Sequence, residues 1–117
     1  MSDIEFWIEA LGDDDYDTRM KAVTALVEAK AVVPLILTLE NRNRSFWQRK
    51  MAAYALGKIG DRRAIEPFTR IVKGFVYSHD NREKVRIEER LTRDEHMGLF
   101  MEVKDALEEM GYRIQIN

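Results

Sequence analysis

The sequence predicts an all-α fold, a right-handed α-solenoid of stacked helix pairs ending in a divergent C-terminal cap. Three observations predict it. An internal repeat of about 30 residues runs through the first two thirds of the chain. Within each copy the apolar residues recur at helical spacing. Both prolines of the chain, Pro34 and Pro67, fall at the same point of the two copies.

The first element is residues 3–12, DIEFWIEALG, read as a lone second helix whose preceding partner is missing. Ile4, Trp7, Ile8 and Leu11 form its inward stripe. Asp13, Asp14 and Asp15 follow at the next helix start, where negative charge suits the macrodipole.

The two repeats come next, predicted as residues 16–41 and 45–74. Thr18–Lys30, TRMKAVTALVEAK, aligns with Gln48–Gly60, QRKMAAYALGKIG, at an offset of 30. The match pairs Arg19 with Arg49, Ala22 with Ala52, Ala25 with Ala55 and Leu26 with Leu56. At an offset of 33, Ala31, Val32 and Pro34 meet Ala64, Ile65 and Pro67. The three added residues are the turn Asp61-Arg62-Arg63. Ser45 and Gln48 have capping-box spacing, and Gly60 is placed to end the helix in a left-handed conformation. Proline is tolerated only in a first turn, so the next helix begins near Arg62. Ile65, Phe68, Val72 and Phe75 point inward, with Glu66, Thr69, Arg70 and Lys73 outward. Matched alanines let neighbouring helices approach closely. A pair built this way must stack on its neighbours to bury both faces.

Residues 75–96 break the period and read as an irregular insertion. Two alternatives stand for it: a helix from Asp80-Asn81 toward Leu91, or a hairpin pairing 75–77 with 85–87. Residues 112–116 alternate in the manner of a short strand. The last helix and tail, 97–117, cap the stack. Phe100–Gly111 aligns with the second copy at an offset of 51, and Thr92 with Glu95 can cap that helix.

Residues 54–68, YALGKIGDRRAIEPF, carry a family pattern: Ala-Leu-Gly-x-Ile-Gly-Asp, a turn, then Ala-x-x-Pro opening a second helix. In this the chain resembles the HEAT-like repeat family, in the short form of phycobilisome-lyase-type repeats. Residues 16–39 match with Val27–Lys30 in place of the Gly-x-Ile-Gly stop. The resemblance implies curved surfaces that hold protein partners. Some members are bilin lyases or assist them, some hydroxylate deoxyhypusine, and some relatives excise alkylated bases. A fold alone does not choose among these.

Composition narrows the chemistry. The 117 residues contain no cysteine, which excludes disulfides, thiolate metal sites and a cysteine nucleophile. No apolar run approaches membrane-spanning length, and the acidic start does not read as a signal peptide, so a cytoplasmic protein is expected. The iron-binding relatives use His-Glu pairs at helix starts. Here His79 stands before Asp80 and His96 before Met97, so both read as surface histidines and no metal or cofactor is expected. Ser45 reads as a cap, the glycines form no phosphate loop, and no catalytic constellation appears.

Charge carries the functional signal. Residues 1–41 have a net charge of -6, residues 42–73 of +7, and residues 74–117 of -3. Stacked repeats turn a block in sequence into a block in space. The expected function is a non-enzymatic protein–protein interaction module whose basic central repeat docks an acidic partner. Arg62, Arg63, Arg70 and Lys73 form the predicted surface, extended by Arg42, Arg44, Arg49 and Lys50. Phe46 and Trp47, beside the helix cap, are candidate anchors, with inter-repeat packing as their competing role. Three alternatives stay open: a homo-oligomer joined by acidic and basic surfaces, an accessory or lyase-like role on a bilin or other small ligand, and weak nucleic-acid binding. The acidic ends and a pI of 5.7 count against the last.

Overall fold

A computed structural model describes residues 3–80 and 91–113, with side chains for 3–74 and 91–113. Among the described residues there are six α-helices and no strand: α1 (Asp3–Ala10), α2 (Tyr16–Glu28), α3 (Val32–Glu40), α4 (Phe46–Ile59), α5 (Ile65–Asp80) and α6 (Arg93–Glu109). A single 3₁₀ turn, Arg62–Ala64, leads into α5.

The helices form two layers. Helices α2, α4 and α6 lie side by side in the first, α4 touching both neighbours. In the second layer α1 packs beside α3, and α3 is bridged to α5 by Glu40 and Arg70. Each second-layer helix also packs on the first-layer helix that follows it: α1 on α2, α3 on α4, α5 on α6. This is the stacking that the repeat predicts. Helix α6 occupies the next first-layer place despite the inserted residues before it.

Local sequence fixes the helix ends. The Asp15 carboxylate accepts the Thr18 amide, and its bonds to Thr18 hold the Asp15 pKa below its ordinary value. Ser45 with Gln48, and Thr92 with Glu95, both form complete capping boxes. At the other end, three matched positions take a positive φ: Lys30 at 50°, Gly60 at 72° and Gly111 at 89°. The Ala31 amide reaches back to the Leu26 carbonyl, and Tyr112 does the same to Leu107, the Schellman bond that a left-handed residue permits. The first copy therefore makes the family's stop with a lysine where glycine is the easier choice.

The core lies between the layers. Ile8, Leu11, Leu26, Leu35, Leu39, Leu56, Phe68, Leu99 and Leu107 are fully buried. Each contributes roughly 1.5–3 kcal/mol by leaving water. Ile4, Trp7 and Ile65 pack half-buried at its edge. Small residues set the spacing within the first layer. Ala22, Ala52, Ala55 and Ala106 are buried, and a Cβ placed on Gly57 would lie 2.9 Å from that of Ala106.

The break in the period is shorter in structure than in sequence. Residues 75–80 continue α5 rather than opening a hairpin, because the helical spacing of Phe68 and Val72 runs on to Phe75. Helix α6 starts at Arg93, because Thr92 caps it there. The inward orientation expected of Phe75, the 85–87 strand and the 114–116 part of the tail strand lie outside the described residues.

Candidate partner-binding surface

The predicted basic surface divides into groups with different surroundings. Arg49 is interior. It is 2% exposed, and its Nε donates to the Leu39 carbonyl at 2.8 Å, in the last turn of α3. Such carbonyls have no partner within their own helix, so the guanidinium supplies one. Its repeat mate Arg19 is also buried and donates to the carbonyls of Asp13 and Asp14, in the link after α1. The matched arginines thus tie the end of a second-layer helix, or the link after it, to the next first-layer helix. The sequence places Arg49 on the docking surface; in the fold its side chain instead holds the repeats together.

Two of the other predicted cations, Arg44 and Arg70, and also Lys58, meet carboxylates from a neighbouring unit. Arg44 pairs with Glu5 at 2.9 Å and with Glu9, both on α1, and these bonds raise its pKa. Arg70 reaches Glu40 on α3 at 2.6 Å and Glu66 on its own helix at 2.9 Å. Lys58 meets Glu109 on α6 at 2.9 Å. Arg63 stays local, on Asp61 at 3.0 Å, and Arg62 donates to the Tyr112 hydroxyl at 3.3 Å. The Arg63 guanidinium and amide hold the Asp61 carboxyl down at about 2. Arg42 is exposed and lines a groove with Arg49, Arg70 and His96, and Lys73 is exposed on α5. The acidic and basic blocks of the sequence therefore meet within the molecule, across the joints between units.

Phe46 and Trp47 part company. Phe46 is half-buried against α6, where a Cβ on Gly98 would come within 3.0 Å of its ring. Trp47 is 39% exposed and stands edge-on to Phe46. The Arg19 guanidinium lies over its ring at 4.2 Å and the Lys50 ammonium at 5.1 Å. Lys50 therefore belongs to the first-layer side, away from Arg70 and Lys73. With Tyr16, Met51, Tyr54 and Glu102, these residues line a groove of about 300 Å³. Burial raises the Glu102 carboxyl above its ordinary value, against the pull of Lys50.

Two exposed residues have no place in the predicted surface. Val33 and Leu37 of α3 are 52% and 63% exposed, one helical turn apart. Their matches in α5 are Glu66 and Arg70, and that contrast between copies is the signal that marks them. Among the described residues no three His, Asp or Glu converge as metal ligands. His79 lies outside the described side chains. No described helix is long and apolar enough to cross a membrane.

Two layers of repeated helix pairs, stacked through alanines and stapled by matched arginines, define an α-solenoid. A family model for HEAT repeats matches residues 4–86, and the chain belongs to the HEAT-repeat family. No curated protein matches the sequence.

Proposed function

We propose that this HEAT-repeat chain is a non-enzymatic protein-docking module whose second-layer ridge, α3 beside α5, receives an acidic, partly apolar segment of another protein. The carrying observation is the exposure of Val33 and Leu37 on α3, the helix whose Glu40 is bridged by Arg70 of α5. Leu37 lies one turn before Glu40, the residue that Arg70 bridges, so the apolar pair and the cations share one surface. Arg62, Arg63, Arg70 and Lys73 supply the charge, with Arg42 at the α3–α4 link. Arg44 and Arg49 serve the stack itself. HEAT repeats are commonly protein-interaction scaffolds, which agrees with this reading.

The test is affinity capture from native extract with two baits. One is the natural chain; the other has Arg62, Arg63, Arg70 and Lys73 changed to Glu. A partner recovered by the first and lost by the second is the expected result. Equal recovery by both rules the ridge out as the docking surface. Circular dichroism of the second bait checks that losing the Arg70–Glu40 bridge leaves the fold intact.

A further inference from the structure

Among the described residues, helix α6 has a second face that the stack leaves exposed. Its inner side, Leu99, Phe100, Val103, Ala106 and Leu107, is buried. Its outward stripe carries Met97 and Met101, 41% and 44% exposed. At the offset of 51, the α4 residues matching them are Phe46 and Lys50. Phe46 is pressed against α6 at Gly98, so the two methionines stand where a further first-layer helix would stack. The opposite end of the layer differs. There the outward positions of α2 are Asp17, Lys21, Thr24 and Glu28, all exposed and all polar. That end has the polar surface expected of a solenoid terminus, while the α6 end has a wet apolar pair.

The charges around that pair are self-complementary. Asp94 precedes the methionines and Lys104 follows them on the same stripe, where Lys104 also pairs with Glu108 of its own helix at 2.7 Å. Set a second α6 antiparallel on this face, with the two-fold axis at Leu99. Met97 then meets Met101 of the other copy, and Asp94 meets Lys104. That charged contact joins opposite signs, and symmetry makes it occur twice. Moving the axis half a turn, to Met101, sets Asp94 against Glu108 and Met97 against Asp105. That register places acid on acid and buries methionine against a carboxylate, so the charges select the first.

We propose that the outward face of α6 is a homodimer interface, occupied by a second copy of this chain in that antiparallel register. One helix pair buries less than the roughly 1,200 Å² of a standard stable interface. The dimer is accordingly weak and concentration-dependent, forming at about tens to hundreds of micromolar.

Sedimentation equilibrium of the full chain across that concentration range tests this. The natural protein is expected to move from monomer toward dimer mass. Lys104→Asp and Asp94→Lys each set like charges together twice, and each is expected to weaken dimerisation about tenfold. The double variant restores opposite charges and is expected to return the dimer. Met101→Glu, at a residue already exposed in the monomer, gives an independent loss. A monomer mass throughout would overturn the proposal. So would a dimer indifferent to the single changes, or a double variant that fails to recover. Helical circular dichroism shows that each variant is folded.

Discussion

Lys30 and Arg49 show how single residues carry the repeat. Lys30 stands where the second copy has Gly60 and α6 has Gly111, and it adopts their left-handed conformation at a steric cost. Lys30→Gly is expected to stabilise the fold by about 0.5–1 kcal/mol, read as a shift in urea midpoint. A loss of stability there would mean that the lysine side chain matters more than its backbone. Arg49→Met keeps the volume but leaves the Leu39 carbonyl without the bond from Nε. A loss of about 2–4 kcal/mol is expected. Two carboxyls titrate in opposite senses. Asp61 is held at about 2, so its contribution is complete above its ordinary value of 3.8 and fades as pH falls toward 2. Asp61→Asn should therefore flatten the acid limb of the Tm-against-pH curve. Glu102 is raised by burial, with Lys50 and Lys58 pulling down and Asp105 and Glu109 pushing up. Its ionisation opposes folding once pH rises above the ordinary glutamate value of 4.5. Glu102→Gln should raise Tm at neutral pH and lose that advantage at pH 4.

At the scale of elements, the sequence discloses what depends on spacing. Alanine matches, paired prolines, the Ser45 and Thr92 boxes and the Gly60 stop all follow local rules, and each appears where the rule puts it. What escapes depends on partners distant in the chain. Nothing in a count of basic residues separates Arg49, whose partner is a main-chain carbonyl ten residues earlier, from Arg70, which reaches across to α3. The clue lies in the repeat itself, since Arg19 and Arg49 match in both copies while Val33 and Glu66 do not. A residue kept at a joint serves the joint, and a residue that differs between copies serves something else. Gly57 tests the joint between α4 and α6. Alanine there gains about 1 kcal/mol of helix propensity but meets the Cβ and Cα of Ala106 at 2.9 and 3.1 Å. Overpacking outweighs the propensity gain, so Gly57→Ala is expected to cost about 1–3 kcal/mol in denaturant unfolding.

For the whole molecule, the net charge of -2 hides three blocks of -6, +7 and -3. The fold brings them together. Arg44 on Glu5 and Glu9, Arg70 on Glu40, and Lys58 on Glu109 each cross from the basic centre to an acidic flank. Exposed pairs of this kind contribute little singly, roughly 0–1 kcal/mol each. The ridge proposed for docking joins the exposed Val33 and Leu37 of α3 to α5, which the Arg70–Glu40 bridge ties to that helix. The direct test of that ridge is the Kd of a captured partner, titrated against the natural chain and Leu37→Asp at low and moderate salt. Leu37 is exposed, so the substitution leaves the core untouched. Docking on the ridge predicts binding that weakens at least about tenfold with Leu37→Asp, and that weakens as salt rises for the natural chain. An unchanged Kd for Leu37→Asp would contradict it.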